Sequence, residues 1–483
     1  MTSTTAPLTL FIDNRNVPGA TGETIAVIDP STAETFAHIA RGTAADIDRA
    51  VAAARRASDG AWGRMPAVER GRLLHRWGAL VDAHRDELAR LESRDTGKPI
   101  SQARADAGAL ARYFEFYGGA ADKLHGQTIP YQPGYTVLTV REAHGVTGHI
   151  IPWNYPMQIF GRSVGAALAA GNACVVKPAE DACLSLLRVA QLAAEAGFPE
   201  GALNIVTGLG PEAGQALAEH PGIDHISFTG STLTGQRVAE AAARHRCPAT
   251  LELGGKSPQI VFDDADLDAA LPVLVNAIVQ NCGQTCSAGS RVLIQSGVHD
   301  RILGLLAERF AALRAGPAAD DLDLGPLVSR KQLQRVWDYL SVAQTTGLEF
   351  AGEGSVVESA PSAGFYQAPV LLDAVSPASR LFQEEVFGPV LVTTRFDDEA
   401  EALTLANGTP YGLVAGVWTN DGARQMRLAR AIRAGQVFIN NYGAGGGVEL
   451  PFGGVKQSGY GREKGFEALY GFTTLKTIAI RHG

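Results

Sequence analysis

From about residue 145 onward, short runs rich in β-branched residues alternate with longer helical patterns, and this alternation limits the possible folds most strongly. The first runs are GVTGHIIPW, ACVVKP, LNIVTG, HISFTG and PQIVF, and helical segments such as LSLLRVAQLAAEAG separate them. Strands that alternate with helices usually form a parallel sheet covered by the helices. The pattern therefore predicts an α/β fold built from strand–helix–strand units.

A second alternating series follows residue 254, with RVLIQ, PVLLDAV, PVLVTTRF and VAGVWTN as its strands. A chain of 483 residues exceeds what one hydrophobic core usually organises, so a second α/β lobe is expected, with a boundary near LELGGKSPQ.

Amphipathic helices are predicted for much of the first 120 residues. One of them opens with Thr43 and carries Asp46 three residues later, as in a capping box.

Two further strand-like runs, GYTVLTVRE and FTTLKTIAI, lie apart from both series. Strands that belong to neither sheet often pair between subunits.

The formal net charge of −8 argues against a nucleic acid or an anionic membrane surface as a partner, so a small molecule is the expected ligand.

The chain contains five cysteines, Cys174, Cys183, Cys247, Cys282 and Cys286. This sparse and odd set predicts free thiols in a reducing compartment, and the cytoplasm is expected. Neither an export signal nor a run of 18 apolar residues is recognisable, so export and membrane insertion are not expected.

Two of these cysteines stand four residues apart in QNCGQTCSAGSR. Such a pair is compatible with a nucleophile, with half of a metal site, with a redox switch or with packing. A zinc site needs two further ligands at a recognisable spacing, and the sequence offers none, so no metal is expected. A cysteine hydrolase would pair Cys286 with a histidine such as His144, His149 or His225, but no local pattern identifies one.

Two glycine-rich turns compete as phosphate-binding sites. The first, VTGLGPEAG, carries Gly208, Gly210 and Gly214, with a spacing one residue longer than the usual dinucleotide fingerprint. The second, HISFTGSTLTG, places Gly230 and Ser231 at the start of a predicted helix, where free backbone N–H groups favour a pyrophosphate. Taken alone, each turn is equally well explained as a tight connection between a strand and a helix.

Several separated motifs together resemble the aldehyde dehydrogenase superfamily. They are PWNYP at 152–156, KPAE at 177–180, FTGSTLTG at 228–235, LELGGKSP at 251–258 and GQTC at 283–286, followed by EEVFGPV at 384–390 and LPFGGVKQSGYGRE at 450–463. The resemblance implies an α/β protein with a Rossmann-like cofactor lobe, a second α/β catalytic lobe and a small β oligomerisation arm. The implied boundaries are 1–126 and 145–253 for the NAD-binding domain, 254–455 for the catalytic domain, and 127–144 and 456–483 for the arm of a homodimer or homotetramer.

The same resemblance implies an NAD(P)-dependent oxidation of an aldehyde to an acid. A carbonyl carbon releases hydride only after a nucleophile has made it tetrahedral, and Cys286 matches the nucleophile that adds first and later carries a thioester. Asn154 matches a donor to the oxyanion, and Glu252 matches the general base that activates the hydrolytic water. The presence of Glu252 argues against membership in the branch of the family that transfers the acyl group to coenzyme A, because that branch commonly lacks this residue.

The family pattern further implies which residues bind the cofactor. They are Trp153, Lys177, Glu180, Gly230, Ser231, Glu385 and Phe387. Because the Glu180 carboxylate accepts hydrogen bonds from a ribose 2′-hydroxyl and repels a 2′-phosphate, NAD is expected to be preferred to NADP. Cys282 has no fixed role in the pattern, and packing or incidental exposure is expected for it.

The substrate prediction rests on Arg162, eight residues after Asn154. The resemblance implies that this position faces the aldehyde tunnel and is often Trp, whereas succinate-semialdehyde enzymes carry Arg there. Those enzymes carry a second arginine six residues before the nucleophile, and this chain has Gln280 at that position. The small residues in YGAGGGVE suggest room for a larger or aromatic aldehyde. Arg162 therefore favours a substrate with a distal acidic or hydrogen-bond-accepting group.

Three alternatives stay open. Arg162 turning away to pair with a structural carboxylate is a competing explanation for that residue. A betaine or amino-aldehyde dehydrogenase is a second candidate within the same class. A non-catalytic protein that retains the fold is the alternative outside it, although the presence of nucleophile, base and oxyanion donor argues against this.

Overall fold

A computed structural model of the chain describes residues 8–443 and 447–483. Its first lobe is built on an eight-stranded sheet whose five central strands are parallel. Across the sheet the strands are β2 (Arg15–Val17), β1 (Leu10–Ile12), β9 (Leu203–Ile205), β8 (Ala173–Pro178), β7 (Val146–Ile151), β10 (His225–Thr229), β11 (Ala249–Glu252) and β21 (Gly459–Tyr460). The outer strands β1, β2 and β21 pair in antiparallel fashion.

The second lobe is built on a seven-stranded sheet that is parallel except at one edge. Its strands are β15 (Glu349–Glu353), β17 (Val370–Asp373), β18 (Val390–Phe396), β13 (Arg291–Gln295), β12 (Pro258–Val261), β19 (Val414–Trp418) and β20 (Gln436–Ile439). The strand β11 ends at Glu252 and β12 begins at Pro258, so the chain passes from one sheet to the other within LELGGKSP.

Three small sheets complete the strands. They are β3 (Thr24–Asp29) with β4 (Glu34–Ala40), β14 (Arg314–Ala315) with β16 (Ser355–Val356), and β5 (Gln127–Ile129) with β6 (Tyr135–Ala143) and β22 (Thr473–Arg481). The runs GYTVLTVRE and FTTLKTIAI form β6 and β22, and they pair with each other within the chain in antiparallel register from Thr473 to Arg481.

The helices of the first lobe are α1 (Ala44–Asp59), α2 (Ala67–Ala83), α3 (Arg85–Thr96), α4 (Ile100–Ala120), α5 (Pro156–Ala170), α6 (Leu184–Glu195), α7 (Gln215–Glu219) and α8 (Thr232–Arg244). Those that follow are α9 (Leu267–Val279), α10 (His299–Ala312), α11 (Arg330–Thr345), α12 (Arg380–Gln383), α13 (Glu399–Asn407), α14 (Gly422–Ala431) and α15 (Glu467–Gly471). None of the helices in residues 8–443 and 447–483 is long and apolar enough to cross a bilayer.

Each lobe has its own hydrophobic core, as the length of the chain requires. In the first, the fully buried Trp77 stacks on Phe114 with ring centroids 3.7 Å apart and donates its indole N–H to Val189 O at 3.0 Å. In the second, Trp418 is equally buried and donates to the Gln259 side-chain oxygen at 2.9 Å. Both indoles therefore bury a large apolar ring without leaving a polar atom unpaired.

Most strands and helices predicted from the sequence are confirmed. The helix after Thr43 begins at Ala44, and Thr43 N donates to Asp46 Oδ2 at 2.9 Å. The strands β1 to β4 were missed because β1 and β2 have only three residues each, and because few of the residues in β3 and β4 are buried. Within the predicted arm segment 456–483, β21 pairs with the first sheet before β22 joins β6. The domain boundaries themselves stay a prediction.

Candidate functional site

The segment that carries the candidate nucleophile begins with an unusual turn. After α9 ends, Asn281, Cys282 and Gly283 have φ angles of 47°, 55° and 72°, in the left-handed region that non-glycine residues seldom adopt. A Cβ atom on Gly283 would lie 2.1 Å from Gly388 O, so only glycine fits there. The turn delivers Gln284, Thr285 and Cys286 into the space between the two lobes.

Hydrogen bonds fix this turn to the loop that carries Asn154. Asn154 Nδ2 donates to Gln284 O at 3.0 Å, and Asn281 Nδ2 donates to Asn154 O at 2.9 Å. Asn281 N in turn donates to the Gln102 side-chain oxygen at 2.8 Å. The buried side-chain amide of Asn154 is therefore bonded to Gln284, which precedes Cys286 by two residues. Since an amide nitrogen carries two N–H bonds, one of them is not used by Gln284.

Cys286 is half-buried and packs against the apolar residues Leu413, Val414 and Phe452. Burial raises the pKa of its thiol to about 12, and the positive charge of Arg162 opposes that rise. A Cβ atom on Gly255 would lie 2.4 Å from Cys286 O. Because Gly255 has no side chain, the backbone of Cys286 packs closely against it. Gly255 follows Glu252 by three residues in the sequence.

The second thiol has a different environment. Cys282 is only 1% exposed and belongs to the core of the second lobe, and burial raises the pKa of its thiol. This placement agrees with the packing role expected from the sequence.

Glu252 lies at the end of β11 and is 1% exposed. Neither of its carboxylate oxygens has a hydrogen-bond partner within residues 8–443 and 447–483. A Cβ atom on Gly453 would lie 2.7 Å from Oε1, so glycine makes room for this side chain. Burial raises the pKa of Glu252 well above its usual value, the charge of Glu463 raises it further, and the charges of Arg162 and Arg462 oppose the rise.

Arg162 forms an ion pair with Glu463 that is almost completely buried. Its guanidinium carbon also lies 4.7 Å from the centroid of the Phe452 ring, and the backbones of Phe452 and Glu463 pair with each other. Ser227 Oγ donates to Glu463 Oε1 at 2.9 Å. The carboxylate partner that the sequence left as an alternative for Arg162 is therefore Glu463. The Nη2 atom of Arg162, however, is buried without a hydrogen-bond partner in the described part of the chain.

Glu463 was noted from the sequence only as the last residue of the motif LPFGGVKQSGYGRE, and no role was predicted for it. Its effect on Glu252 depends on the strand pairing of Phe452 with Glu463, which no local pattern indicates. Part of YGAGGGVE, Ala444 to Gly446, lies outside the described residues. Before it, Tyr442 donates its hydroxyl to Ser287 O at 2.6 Å, next to the nucleophile.

The histidines considered for a hydrolase lie in the first lobe. His149 bonds through its two ring nitrogens with Thr147 and Ser163, at 2.8 and 2.7 Å, and burial lowers its pKa to about 3. His225 packs against His144 and Phe472. The hydrogen bonds and burial of His149 are those of a neutral core residue.

At the first glycine-rich turn, Lys177 and Glu180 form an ion pair at 2.7 Å. Gly210 N also donates to Glu180 Oε1 at 3.3 Å, so this carboxylate connects the end of β8 with VTGLGPEAG. Burial opposes the charge of Glu180, but the charge of Lys177 and its hydrogen bond outweigh burial and lower the pKa of Glu180. The carboxylate is therefore ionised at neutral pH.

At the second turn, Ser231 is the N-cap of α8 and its Oγ accepts a hydrogen bond from Thr234 N at 3.3 Å. A Cβ atom on Gly230 would lie 2.6 Å from the Phe228 ring, which explains the glycine sterically. Ser231 is exposed at the start of a helix of thirteen residues, where the first backbone N–H groups lack partners within the helix.

Three of the residues that the family pattern implies for the cofactor, Trp153, Glu385 and Phe387, lie beside the nucleophile segment. The rings of Trp153 and Phe387 meet edge to face with centroids 5.3 Å apart. Glu385 Oε1 accepts a hydrogen bond from Gly255 N at 2.9 Å, and burial raises the pKa of Glu385 to about 7. Gly255 therefore contacts Glu385 on one side and faces Cys286 O on the other.

Known proteins resemble this chain over almost its whole length. An aldehyde dehydrogenase of Emericella nidulans is 42% identical over 479 residues, which cover 99% of this chain and 96% of that protein. A crystal structure from Burkholderia cenocepacia is 72% identical with a TM-score of 0.98, and covers 98% of this chain and 100% of its own. The NAD+ complex of an aldehyde dehydrogenase from Bacillus cereus is 39% identical with a TM-score of 0.96, and covers 99% and 97%.

A family model described as the aldehyde dehydrogenase family matches residues 17–478. Since this match and these relatives span nearly the whole chain, the protein belongs to the aldehyde dehydrogenase family.

Proposed function

We propose that this protein oxidises an aldehyde to a carboxylic acid with NAD, with Cys286 as the nucleophile, Glu252 as the general base and Asn154 as an oxyanion donor. One observation carries the assignment of these residues. The Cys286 segment is bonded to Asn154 through Gln284 O, and it also packs on Gly255, three residues after Glu252. Residues from three separate motifs thus meet at the segment that carries Cys286, which supports the assignment.

In the first step the Cys286 sulfur attacks the aldehyde carbon and the carbonyl oxygen becomes an oxyanion. Since burial holds the pKa of the Cys286 thiol near 12, the thiol must lose its proton to a base before or during the attack. Glu252 is the carboxylate we assign to this proton. Asn154 donates its second N–H to the oxyanion, and one such donor contributes about a hundredfold to a thousandfold in rate.

When NAD is bound, its nicotinamide ring accepts the hydride that leaves the tetrahedral carbon. The acyl group then stays on Cys286 as a thioester. Once Glu252 has released the thiol proton to solvent, it removes a proton from a water molecule that attacks the acyl carbon, and the Cys286 sulfur leaves as a thiolate. A positioned base of this kind contributes about a hundredfold to ten-thousandfold. Its raised pKa means that the ionised, basic form of Glu252 requires a pH well above the usual carboxyl pKa.

The residues present fit a dinucleotide. The buried Lys177 pairs with the partly exposed Glu180 beside a glycine turn, and a Cβ atom on Gly210 would meet open space. We assign this pair to the adenine ribose and Ser231 with Gly230 to the pyrophosphate. We assign Trp153, Glu385 and Phe387 to the nicotinamide end. The ionised Glu180 favours NAD over NADP because it repels a 2′-phosphate.

For the substrate we propose an aldehyde with a distal hydrogen-bond-accepting group, such as a semialdehyde or a hydroxylated aromatic aldehyde. Arg162 is close enough to Cys286 for its charge to oppose the rise in the thiol pKa, and its buried Nη2 has no hydrogen-bond partner in the described part of the chain. A buried donor without a partner costs about 1–3 kcal/mol, so an acceptor on the substrate would relieve that loss.

The ion pair with Glu463 refines this proposal. Because the carboxylate compensates the guanidinium charge, the site favours an acceptor atom more than a full negative charge. Phe452, Phe438 and Tyr442 supply apolar and aromatic surface near Cys286, which suits an aromatic aldehyde. Betaine aldehyde carries a quaternary ammonium that cannot accept a hydrogen bond, and it is the competing candidate.

We further propose that the protein is a cytoplasmic homodimer or homotetramer. Strand β22 lies at the edge of its small sheet and exposes Leu475, Ile478 and Ile480. An exposed apolar edge strand is a ready surface for pairing with another copy of the chain. The assignment to the cytoplasm rests on the five cysteines, none of which forms a disulfide.

The decisive test is a spectrophotometric assay of NADH formation with NAD and a panel of aldehydes. The panel contains succinate semialdehyde, a hydroxylated aromatic aldehyde and betaine aldehyde. We expect NADH formation with the first two and the acid as product. A protein that binds NAD but forms no NADH with any aldehyde would contradict the proposed reaction.

A further inference from the structure

A buried cluster of charges lies directly behind the loop that carries Asn154. The ammonium of Lys98, between α3 and α4, is completely buried. Its Nζ lies 2.8 Å from Glu92 Oε1 and 2.5 Å from Asp106 Oδ2. Burial alone would lower the pKa of Lys98, but the two carboxylates outweigh burial and raise it, so the ammonium is charged.

The two carboxylates extend from Lys98 to the start of α5. Glu92 Oε2 accepts a hydrogen bond from Met157 N at 3.1 Å, and Asp106 Oδ1 accepts one from Gln158 Nε2 at 2.5 Å. Met157 and Gln158 follow Asn154 by three and four residues. The carboxylates therefore hold the first turn of the helix that begins directly after the oxyanion loop.

The same ammonium also contacts the oxyanion loop itself. Lys98 Nζ lies 4.3 Å from the centroid of the Tyr155 ring, which is within range of a cation–π contact. The Tyr155 hydroxyl bonds with Thr285 Oγ1 at 3.1 Å. Since Tyr155 follows Asn154 and Thr285 precedes Cys286, one tyrosine connects the buried charge with the segments that carry the proposed oxyanion donor and the proposed nucleophile.

We propose that Lys98 is a positioning residue that sets the distance between the Asn154 amide and the Cys286 sulfur through Tyr155. The proposal rests on the roles proposed above for Asn154 and Cys286. Lys98 touches neither the aldehyde nor the cofactor in this arrangement. It acts through the ring that it holds and through the carboxylates that anchor α5.

Stability alone is a weak reason for such a cluster. Buried ion pairs recover little more than the energy lost on desolvation, and apolar residues of the same volume often stabilise a protein as well. A displacement of about 1 Å in an active site, by contrast, lowers the rate about a hundredfold. The connection to Tyr155 and Thr285 gives this charge cluster a route to such an effect.

The test compares Tyr155→Phe, Lys98→Met and the double variant in the full-length protein. Tyr155→Phe removes one hydroxyl and keeps the ring. Two rates are measured for each variant: the pre-steady-state burst of NADH with a saturating aldehyde, and the alkylation of Cys286 by iodoacetamide. The second needs no turnover. NAD binding is measured by fluorescence titration.

We expect each single variant to slow the burst about tenfold with an unchanged Kd for NAD. The double variant should also be slowed only about tenfold, because residues that act through one contact do not combine independently. Losses that multiply to about a hundredfold, or a burst in Lys98→Met equal to that of the wild type, would overturn the proposal.

Two controls separate positioning from folding. Asp46, which is 0% exposed and accepts a hydrogen bond from Ala20 N, is a buried charge remote from this loop, and Asp46→Asn should lower Tm while the burst is retained. If Lys98→Met does not fold, the triple variant Lys98→Met, Glu92→Gln and Asp106→Asn takes its place, because no buried carboxylate then lacks its cation. A wild-type burst tests the proposed function independently, so a loss confined to the variants is attributable to Lys98.

Discussion

Glu463 pairs with Arg162 in an ion pair that is almost completely buried, and its charge also raises the pKa of Glu252. The candidate base therefore stands between a carboxylate that favours its protonated form and a guanidinium that favours its ionised form. Removal of either neighbour should shift the pH at which Glu252 becomes basic, and the two shifts should have opposite signs.

The first prediction concerns Glu463→Gln. Loss of the negative charge lowers the pKa of Glu252, so more of this carboxyl is ionised at a given pH. The acidic limb of the kcat–pH profile should therefore move to lower pH. Steady-state rates with one aldehyde and saturating NAD across the acidic range measure the shift.

The matched variant is Arg162→Met, which removes the opposing positive charge. The acidic limb should then move to higher pH, because the pKa of Glu252 rises. If both variants shift the limb in the same direction, the group that titrates is not Glu252.

The second prediction concerns Glu252→Gln. The amide cannot remove a proton from the hydrolytic water, so steady turnover should fall by about a hundredfold or more. The acyl group should accumulate on Cys286, more slowly than it forms in the wild type, because Glu252 is also the base proposed for the thiol proton. Mass spectrometry after mixing with NAD and aldehyde detects the adduct, and turnover at the wild-type rate would remove Glu252 from the mechanism.

The third prediction separates the two thiols. Cys286→Ala should abolish aldehyde oxidation and leave the fold intact, since we propose this half-buried thiol as the nucleophile. Cys282→Ala removes one buried sulfur from the second core and should lower stability by about 1–2 kcal/mol with most activity retained. Circular dichroism, thermal melting and NADH formation together measure this. Equal loss of activity in both variants with NAD binding intact would indicate a site shared by both thiols.

The fourth prediction concerns Glu180. Its ionised carboxylate should make kcat/KM with NAD larger than kcat/KM with NADP, and Glu180→Gln should narrow the difference because the repulsion of a 2′-phosphate is lost. The control is Glu212→Gln, a carboxylate near the same glycine turn that pairs with Arg41. A wild-type enzyme that prefers NADP would show that other groups outweigh Glu180.

The fifth prediction concerns the substrate. The wild type should have larger kcat/KM values for succinate semialdehyde and a hydroxylated aromatic aldehyde than for betaine aldehyde. Arg162→Ala should reduce the first two about tenfold or more, as expected for a lost charged hydrogen bond, and affect betaine aldehyde less. A preference for betaine aldehyde in the wild type, or an unchanged ranking in the variant, argues against a role of Arg162 in recognition.

The sequence by itself indicated the alternating strands of both lobes, because side-chain patterning and turn residues are local properties of the chain. It also provided the candidates Cys286, Glu252 and Asn154, since their motifs are short and separated. The left-handed turn at Asn281 and Cys282 was not foreseen, because two successive non-glycine residues seldom adopt such φ angles and only surrounding contacts make them favourable.

The electrostatic environment of the site was decided by the tertiary structure. Glu463 reaches Arg162 and Glu252 through strand pairing near the C-terminus, and Lys98 reaches Tyr155 from between two N-terminal helices. Burial and the nearest charges determine whether a carboxyl or a thiol is ionised, and both depend on residues far apart in the chain. The sequence therefore determined which groups are available for the reaction, and only the folded chain determined their protonation and their partners.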